Sequence, residues 1–393
     1  MSVNGPRSLL AYGFRPFFLL AAAWAMVAPL PWVGALLGVG PRWPMALPPL
    51  HWHGHELLFG AFTAALAGFL LTAVPSWTGA APITGRRLAA LVALWLAGRA
   101  LNLAGAAVPP AVTIAVDSLF LPVLLAALLA QRMPQRPPRD LLAAVAVLAF
   151  CPLAAHLALA EVLPVAPDAV LRLAAGLYLV LIAMTFMRIL PVVATFAQAR
   201  AGGPPYRPRP GREALAVASL VAFTAADALA PVHPATGWIA LGAAAAQLER
   251  LADWPPPRAW RHGPIALLIV VQLWLVAGLV LRGWAGLDPQ LPAYAGRHAL
   301  LIGTMATAVL TVMSIAGLRH TGRPLTVPYA VTAAATLLTV AAALRTAVPL
   351  WLPGEYLRLG AAAALPAWSL GWLLWLVRYG RWLLRPRADS LPG

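Results

Sequence analysis

The sequence predicts an all-α polytopic membrane protein, a transmembrane helical bundle of about 12 spans with both termini cytoplasmic. Three observations predict it. The 393 residues are 61% hydrophobic and only 10% charged, with a mean hydropathy of +0.80. A soluble domain of this length carries roughly 25% charged residues. Apolar runs of about twenty residues, the length that crosses a bilayer as a helix, recur from end to end. A membrane β-barrel would show short alternating segments instead. Finally, the basic residues concentrate in alternate loops.

The first span runs from about Pro16 to Leu37. No small-residue cleavage site precedes the next apolar run, so it is read as a retained helix rather than a signal peptide. The second covers Glu56–Trp77, the third Leu88–Gly105, the fourth Pro110–Ala130, the fifth Leu141–Leu163 and the sixth Ala169–Phe196. A Pro- and Arg-rich central loop at 200–212 then divides the chain. The seventh span, Glu213–Ala230, and the eighth, Thr236–Ala252, are the least apolar, being rich in alanine and carrying Asp227, Gln247 and Glu249. After a second Pro-rich loop, WPPPR at 254–258, come Pro264–Gly283, His298–Leu318, Val327–Leu350 and Leu359–Leu384. The whole reads as a single integral membrane domain over 1–393, with spans one to six at about 16–196 and spans seven to twelve at about 213–384.

All 28 basic residues are arginine. Twenty fall in the termini and even-numbered loops, from Arg7, Arg15, Arg86 and Arg87 through Arg207, Arg209 and Arg212 to Arg385 and Arg387. Only five, Arg42, Arg282, Arg297, Arg345 and Arg358, fall in the odd-numbered loops. The positive-inside rule therefore places both termini in the cytoplasm. A net charge of +16 would suggest nucleic acid in a soluble protein; here the membrane accounts for it and no nucleic-acid partner is expected. The single Cys151 lies inside an apolar run, which excludes a disulfide framework and a cysteine-based metal site. Many of the sixteen tryptophans, such as Trp32, Trp77, Trp284 and Trp351, sit near span ends as an interfacial belt does.

The densest chemistry lies at 51–60, HWHGHELLFG, with three of the eight histidines at alternating positions. Neutral imidazole is the commonest protein ligand for transition metals and haem iron. In an extended segment His51, His53 and His55 share one side; in a helix only His51 and His55 do. Gly54 leaves both conformations open. The competing reading is a polar helix entrance with interfacial His and Trp. Glu56 either accepts the second N–H of an imidazole or is an acidic residue favoured by the helix dipole. The predicted topology puts His51, His53, His55, His233 and His298 at the outer boundary, His156 in the outer half of span five, and His262 and His320 at the cytoplasmic side. His298 and His320 are 22 residues apart, roughly 33 Å along one helix, too far to ligate one ion.

Arg99, Arg188 and Asp117 fall inside spans, where ionisable groups face a cavity or a partner. A structural Arg99–Asp117 ion pair is favoured over an arginine neutralising a haem propionate. Met305 and Met313 read as packing rather than copper ligands. Asp227 and Glu161 read as boundary residues. His320 and Arg323 read first as a topology anchor. A transporter would show two related halves, but the His-rich entry at 51–55 has no evident counterpart after residue 212.

Several blocks carry a resemblance. GFRPFF at 13–18, WHGHELLFG at 52–60, GFLLTAVPSWTG at 68–79, LWLAGR at 94–99 and GLRHTGRPL at 317–325 match, in order, motifs of the NnrS family. His298 stands where that family opens its tenth span with a histidine. The match is dense over the first hundred residues and looser over 296–325. The chain thus resembles membrane proteins associated with nitric oxide metabolism and stress, reported to hold haem and copper. The resemblance implies haem b and copper, with cofactor ligands drawn from His53, His55, His156 and His298, and copper ligands from His53, His55 and His298. It implies supporting or anion-contacting roles for Glu56, Arg99, His320 and Arg323. It also implies nitric oxide or a related small ligand, an unidentified redox partner, and a multi-pass location in the bacterial inner membrane. It identifies no reaction and no catalytic residue. The departures are a block around span six reduced to MRILP at 187–191, Ile315 after Met313 and Ser314 where the family usually has arginine, and Gln272 where it tends to carry a histidine. If that histidine binds haem or copper in relatives, the last departure implies one cofactor fewer here. The alternative is a membrane transporter or sensor without redox chemistry.

Reporter fusions after Gly40 and Gly203 should place the first outside and the second in the cytoplasm; opposite signals would invert the topology.

Overall fold

A computed structural model of the chain describes residues 6–39, 45–200, 202–203 and 206–389. Gly40 and Arg42 lie outside the described residues, as do three positions of the central loop, 201, 204 and 205. Among the described residues every regular element is helical. The long helices are α1 Phe14–Leu36, α2 Pro49–Thr78, α3 Gly85–Ala104, α4 Pro110–Leu129, α5 Arg139–Leu159 and α6 Pro167–Arg200, followed by α7 Pro210–Leu229 and α8 Pro234–Leu251. After them come α9 Gly263–Leu287, α10 Ala293–His320, α11 Tyr329–Trp351 and α12 Pro353–Leu383. Proline opens several of them, because its missing N–H falls where a helix's first turn has no use for a donor. Ten are long and apolar enough to cross a membrane, so this is a multi-pass membrane protein. The other two, α7 and α8, are the alanine-rich pair that carries Asp227, Gln247 and Glu249.

The chain divides into two compact units. The first comprises Met1–Leu171, Met313–Leu325 and Trp372–Gly393. Its core packs α1 on α2 through the fully buried Phe14, Phe17 and Phe18. Gly68 admits this contact, since a Cβ there would stand 2.7 Å from the Phe18 ring. Thr72 Oγ1 accepts from Phe14 N at 3.2 Å and donates to Gly68 O at 2.8 Å, so the polar hydroxyl is spent inside the helix pair. Buried Arg15 donates to Leu383 O at 2.7 Å and Arg385 O at 2.6 Å.

The second unit comprises Arg172–Val312 and Thr326–Gly371. There α8 and α9 approach through glycines; a Cβ on Gly237 would lie 2.7 Å from Gly283 O, the close backbone contact that small residues permit in membrane helices. Gln272 donates to Gln247 O and Oε1, both at 3.0 Å, and Gln247 donates to Ala216 O at 2.9 Å, linking α9, α8 and α7. The Asp227 boundary reading is corrected: Asp227 is buried and pairs with Arg282 at 2.6 Å. Arg282 and Arg345, expected in odd-numbered loops, are likewise buried within α9 and α11. A charge that has found a partner inside the bundle is no topology signal.

The absence of a counterpart to the 51–55 entry is also corrected. His55 to Gly79 and His298 to Gly322 are equally long (79 − 55 = 322 − 298 = 24). Each follows a proline six residues upstream, Pro49 or Pro292, and each histidine ends a short α-helical entry that widens into a π-helical segment, Glu56–Phe62 or Ala299–Ala306. Leu57, Leu58 and Gly60 match Leu300, Leu301 and Gly303. Each glycine lies beneath a tryptophan of the preceding helix: a Cβ would come within 2.6 Å of Trp24 at Gly60 and 2.4 Å of Trp274 at Gly303. Each copy ends Thr-Gly. Thr78 donates to Val74 O at 2.8 Å and Thr321 to Gly317 O at 2.6 Å, and Gly79 and Gly322 both take φ +71°, the left-handed conformation that favours glycine. The repeat escaped the sequence because Tyr294 and Gly296 replace His51 and His53, so its marks are proline, leucine and glycine.

Gly303→Ala should lower the thermal midpoint in detergent, since its Cβ must displace the Trp274 ring at about 1–3 kcal/mol. Gly242→Ala in α8, whose Cβ meets nothing within 4 Å, should instead stabilise by roughly 0.5–1 kcal/mol. Equal midpoints for both variants would contradict the packing.

Candidate metal centre

The entry helix of α2 ends at His55, and the π-helical segment begins at Glu56. Such single-turn widenings recur at functional sites because they re-aim side chains without breaking the helix. Here His55 and Glu56 are both buried, at 1% and 0% exposure. Three further helices of the first unit meet them: α3 supplies Arg99, α4 Asp117 and α5 His156, all buried. Glycine permits the approach, for a Cβ on Gly98 would lie 3.1 Å from Asp117 Oδ1.

Glu56 is held from two sides. Trp24 Nε1 donates to its Oε2 at 2.8 Å and Arg99 Nη1 to its Oε1 at 2.8 Å. Arg99 Nη2 also donates to Asp117 Oδ1, so one guanidinium bridges two carboxylates. This is the Arg99–Asp117 pair expected from the sequence, extended to Glu56. His55 Nδ1 lies 3.2 Å from Glu56 Oε1. His55 Nε2 stands 3.0 Å from Asp117 Oδ2, and His156 Nε2 stands 2.9 Å from the same oxygen. The two imidazole rings are 5.0 Å apart, and Phe59 closes edge-on against His55 at 5.0 Å.

Proton placement follows from these contacts. A carboxylate only accepts, so Glu56 takes the Nδ1 proton of His55. A neutral His55 then aims its Nε2 lone pair toward Asp117 Oδ2 at 3.0 Å, and this approach lacks the alignment of a hydrogen bond. Two electron-rich atoms at that separation need a cation between or beside them. The charges agree: two buried carboxylates face one guanidinium, leaving one negative charge uncompensated. A second proton on His55 or a metal cation supplies what is missing.

The donor set fits a metal ion. His55, Asp117 and His156 each offer one ligand atom, all within 4.8 Å of one another. Ligands about 2.0–2.2 Å from a first-row ion stand about 2.8–3.1 Å apart at a right angle and about 3.3–3.6 Å apart in a tetrahedron, so the 2.9 and 3.0 Å separations fall in the right-angle range. A hydrogen bond from a carboxylate to the far nitrogen of a ligating histidine is the usual support for such a site, and Glu56 provides it. The set does not fit the axial pair of a haem. Both Nε2 atoms instead converge on the one Asp117 oxygen, at 3.0 and 2.9 Å, and a carboxylate packed between two imidazoles leaves no room there for a macrocycle.

The structure brings together His55, Glu56, Arg99 and His156 from the sequence-derived residues and adds Asp117 as a potential ligand. A lone acid in the middle of an apolar helix was the available signal. Its pairing with Arg99 was legible, but its second oxygen was not. His53 stacks on Trp32, with ring centroids 5.6 Å apart. His51 lies 3.4 Å from Asp168. His298 belongs to the second unit, with Nδ1 2.8 Å from Tyr294 O and Nε2 2.8 Å from Arg345. His320 packs its ring on Phe14 at 5.6 Å, and Arg323 lies over Trp382 at 4.6 Å while donating to Thr321 O at 3.0 Å.

Arg99→Gln should cost about 3–5 kcal/mol, because it leaves two buried carboxylates without their shared cation. Adding Asp117→Asn should recover part of the loss, since the two sites interact directly. Thermal unfolding in detergent reads both, and strictly additive losses would show that the bridge carries no coupling.

Residues 8–387 of the chain match a family model described as NnrS protein, almost the whole length. A comparison with curated proteins returns no match.

Proposed function

The chain belongs to the NnrS family, and on that premise we propose that His55, Asp117 and His156 hold a single transition-metal ion, copper in the first place, as a centre for nitric oxide or a related small ligand. The observation that carries this reading is the pair of imidazole Nε2 atoms within 3.0 Å of one Asp117 oxygen, with Glu56 on the far nitrogen of His55. Nitrogen and oxygen donors suit first-row ions such as copper and iron. The metal would supply a redox-capable position for a small neutral ligand to bind.

The protein's own residues set the conditions. Trp24 and Arg99 fix Glu56, and Glu56 fixes the tautomer and ring plane of His55. Burial keeps bulk water from competing for the ion. The uncompensated single negative charge matters for oxidation state: a monovalent ion leaves the site neutral, whereas a divalent one leaves it positive. In a low-dielectric interior the neutral arrangement is favoured, so the site should stabilise cuprous over cupric copper. The arginine asymmetry of the loops supports an α2 entry near the outer face of a bacterial inner membrane, and small ligands would then reach the site from that side. The haem b implied by the resemblance finds no axial pair in this trio.

A second reading is favoured by the duplicated element. Related halves are a transporter feature, and a transporter or sensor would use the His55 cluster as a protonated ion-pair network. Metal content separates the two. His55→Ala, His156→Ala and Asp117→Asn should each lose most of the copper bound per polypeptide. His51→Ala, His53→Ala, His262→Ala and His298→Ala should keep it. Equal retention across the series, or haem that departs with His55, would sink the mononuclear reading. Nitric oxide tolerance that survives loss of the metal would favour the transporter.

A further inference from the structure

The second copy of the repeated element carries a second buried constellation with the opposite charge. His298 stands where His55 stands, and an arginine of the following helix again reaches the histidine end of the π-helical segment: Arg345 of α11, as Arg99 of α3. The carboxylates are missing. Ala299 replaces Glu56, and the partner from the next helix is Tyr356 of α12 rather than an acid. Arg345 is 8% exposed. Nη1 donates to Gly360 O at 3.3 Å and Nη2 to His298 Nε2 at 2.8 Å, while Cζ lies 5.1 Å from the Tyr356 ring centre. Among the described residues no carboxylate pairs with it.

His298 cannot share the burden. Arginine only donates, so Nε2 of His298 accepts, and its single proton is on Nδ1, directed at Tyr294 O at 2.8 Å. The histidine is neutral, and a metal ion at Nε2 would have to displace a guanidinium. Nη1 and Nη2 each spend one of their two N–H groups on these contacts, and a buried guanidinium with donors to spare and no counter-charge attracts an anion. Tyr294 is 41% exposed, and its ring packs at 5.6 Å on Tyr356, which lies beside the arginine.

We propose that Arg345, with Tyr356 and Tyr294, binds a small planar two-oxygen monoanion of the formate or nitrite kind. The guanidinium fork matches two coplanar oxygens, and the phenol hydroxyls add donors at the rim. The two copies of one element thereby take ligands of opposite sign: a cation where two carboxylates flank the arginine, an anion where none does. This assignment does not rest on the metal reading, and it stands whether or not His55 binds copper.

The test uses the full chain in detergent, with thermal unfolding followed against sodium formate and sodium nitrite at ionic strength held constant with sodium gluconate. A ligand that binds only the folded state raises the midpoint in a saturable way. The wild type should show this rise. Arg345→Gln should show none and, relieved of an uncompensated charge, should be no less stable without anion. Arg345→Lys should keep a weaker response, and Tyr356→Phe should raise the apparent Kd about fivefold, one lost hydrogen bond. The response should persist in Asp117→Asn. No rise in the wild type, or an equal rise in Arg345→Gln, overturns the proposal. So does a rise produced by anionic lipid micelles and by neither small anion. If Arg345→Gln does not fold, the Arg345→Lys and Tyr356→Phe dose curves decide, and curves identical to wild type overturn it.

Discussion

Arg99 sits within the bundle between two carboxylates, and much of the first unit is arranged to make that tolerable. An isolated charge in such surroundings costs several kcal/mol, and pairing repays this only when hydrogen bonds satisfy the remaining donors and acceptors. Trp24 from α1, Glu56 from α2, Asp117 from α4 and His156 from α5 each meet part of that requirement. Gly60 and Gly98 carry no side chain because Trp24 and Asp117 occupy that space. The helices are thereby registered by polar geometry at one level. In a membrane, apolar packing alone sets rotation and depth weakly, since lipid is as apolar as leucine.

The single charge left over after this pairing links structure to chemistry. A purely structural network could close with one acid and one arginine. Two acids, one arginine and two histidines leave a place for a cation, and the π-helical widening after His55 turns both His55 and Glu56 inward. The second copy keeps the same backbone device, with proline, histidine, π-helical segment, glycine under tryptophan, and Thr-Gly cap, yet drops the acids. One backbone design thus holds two electrostatic environments, and the choice between them is made by one residue of the element itself, Glu56 or Ala299, together with the side chains of the following helices.

Buried arginines also show where sequence logic about membranes needs care. Arg282 pairs with Asp227 inside the second unit, and Arg345 lies under Tyr356. Both resemble boundary residues when only hydropathy is read, because a charge interrupts the apolar run near its end. Within the helix each has found a partner, and the loop arginines that remain are the ones that can report orientation.

Helix type and approximate bounds were determined by the sequence alone, because runs of twenty apolar residues have few other solutions in a bilayer; of the twelve expected spans, ten are long and apolar enough to cross. The chemical density of the 51–60 stretch was legible too, as was the pairing of Arg99 with Asp117, while the sequence left Glu56 open between supporting an imidazole and answering the helix dipole. The tertiary structure decided which histidines share a site. Alternation at 51, 53 and 55 left an extended and a helical arrangement open; the backbone is helical, sends His53 to Trp32 and brings His55 to His156, 101 residues away (156 − 55). It likewise revealed the Asp117 oxygen beside both imidazoles and the kinship of His55 with His298. These depend on rotation about each helix axis and on distances between side chains remote in sequence. Hydropathy averages over both; only the packed interior specifies them.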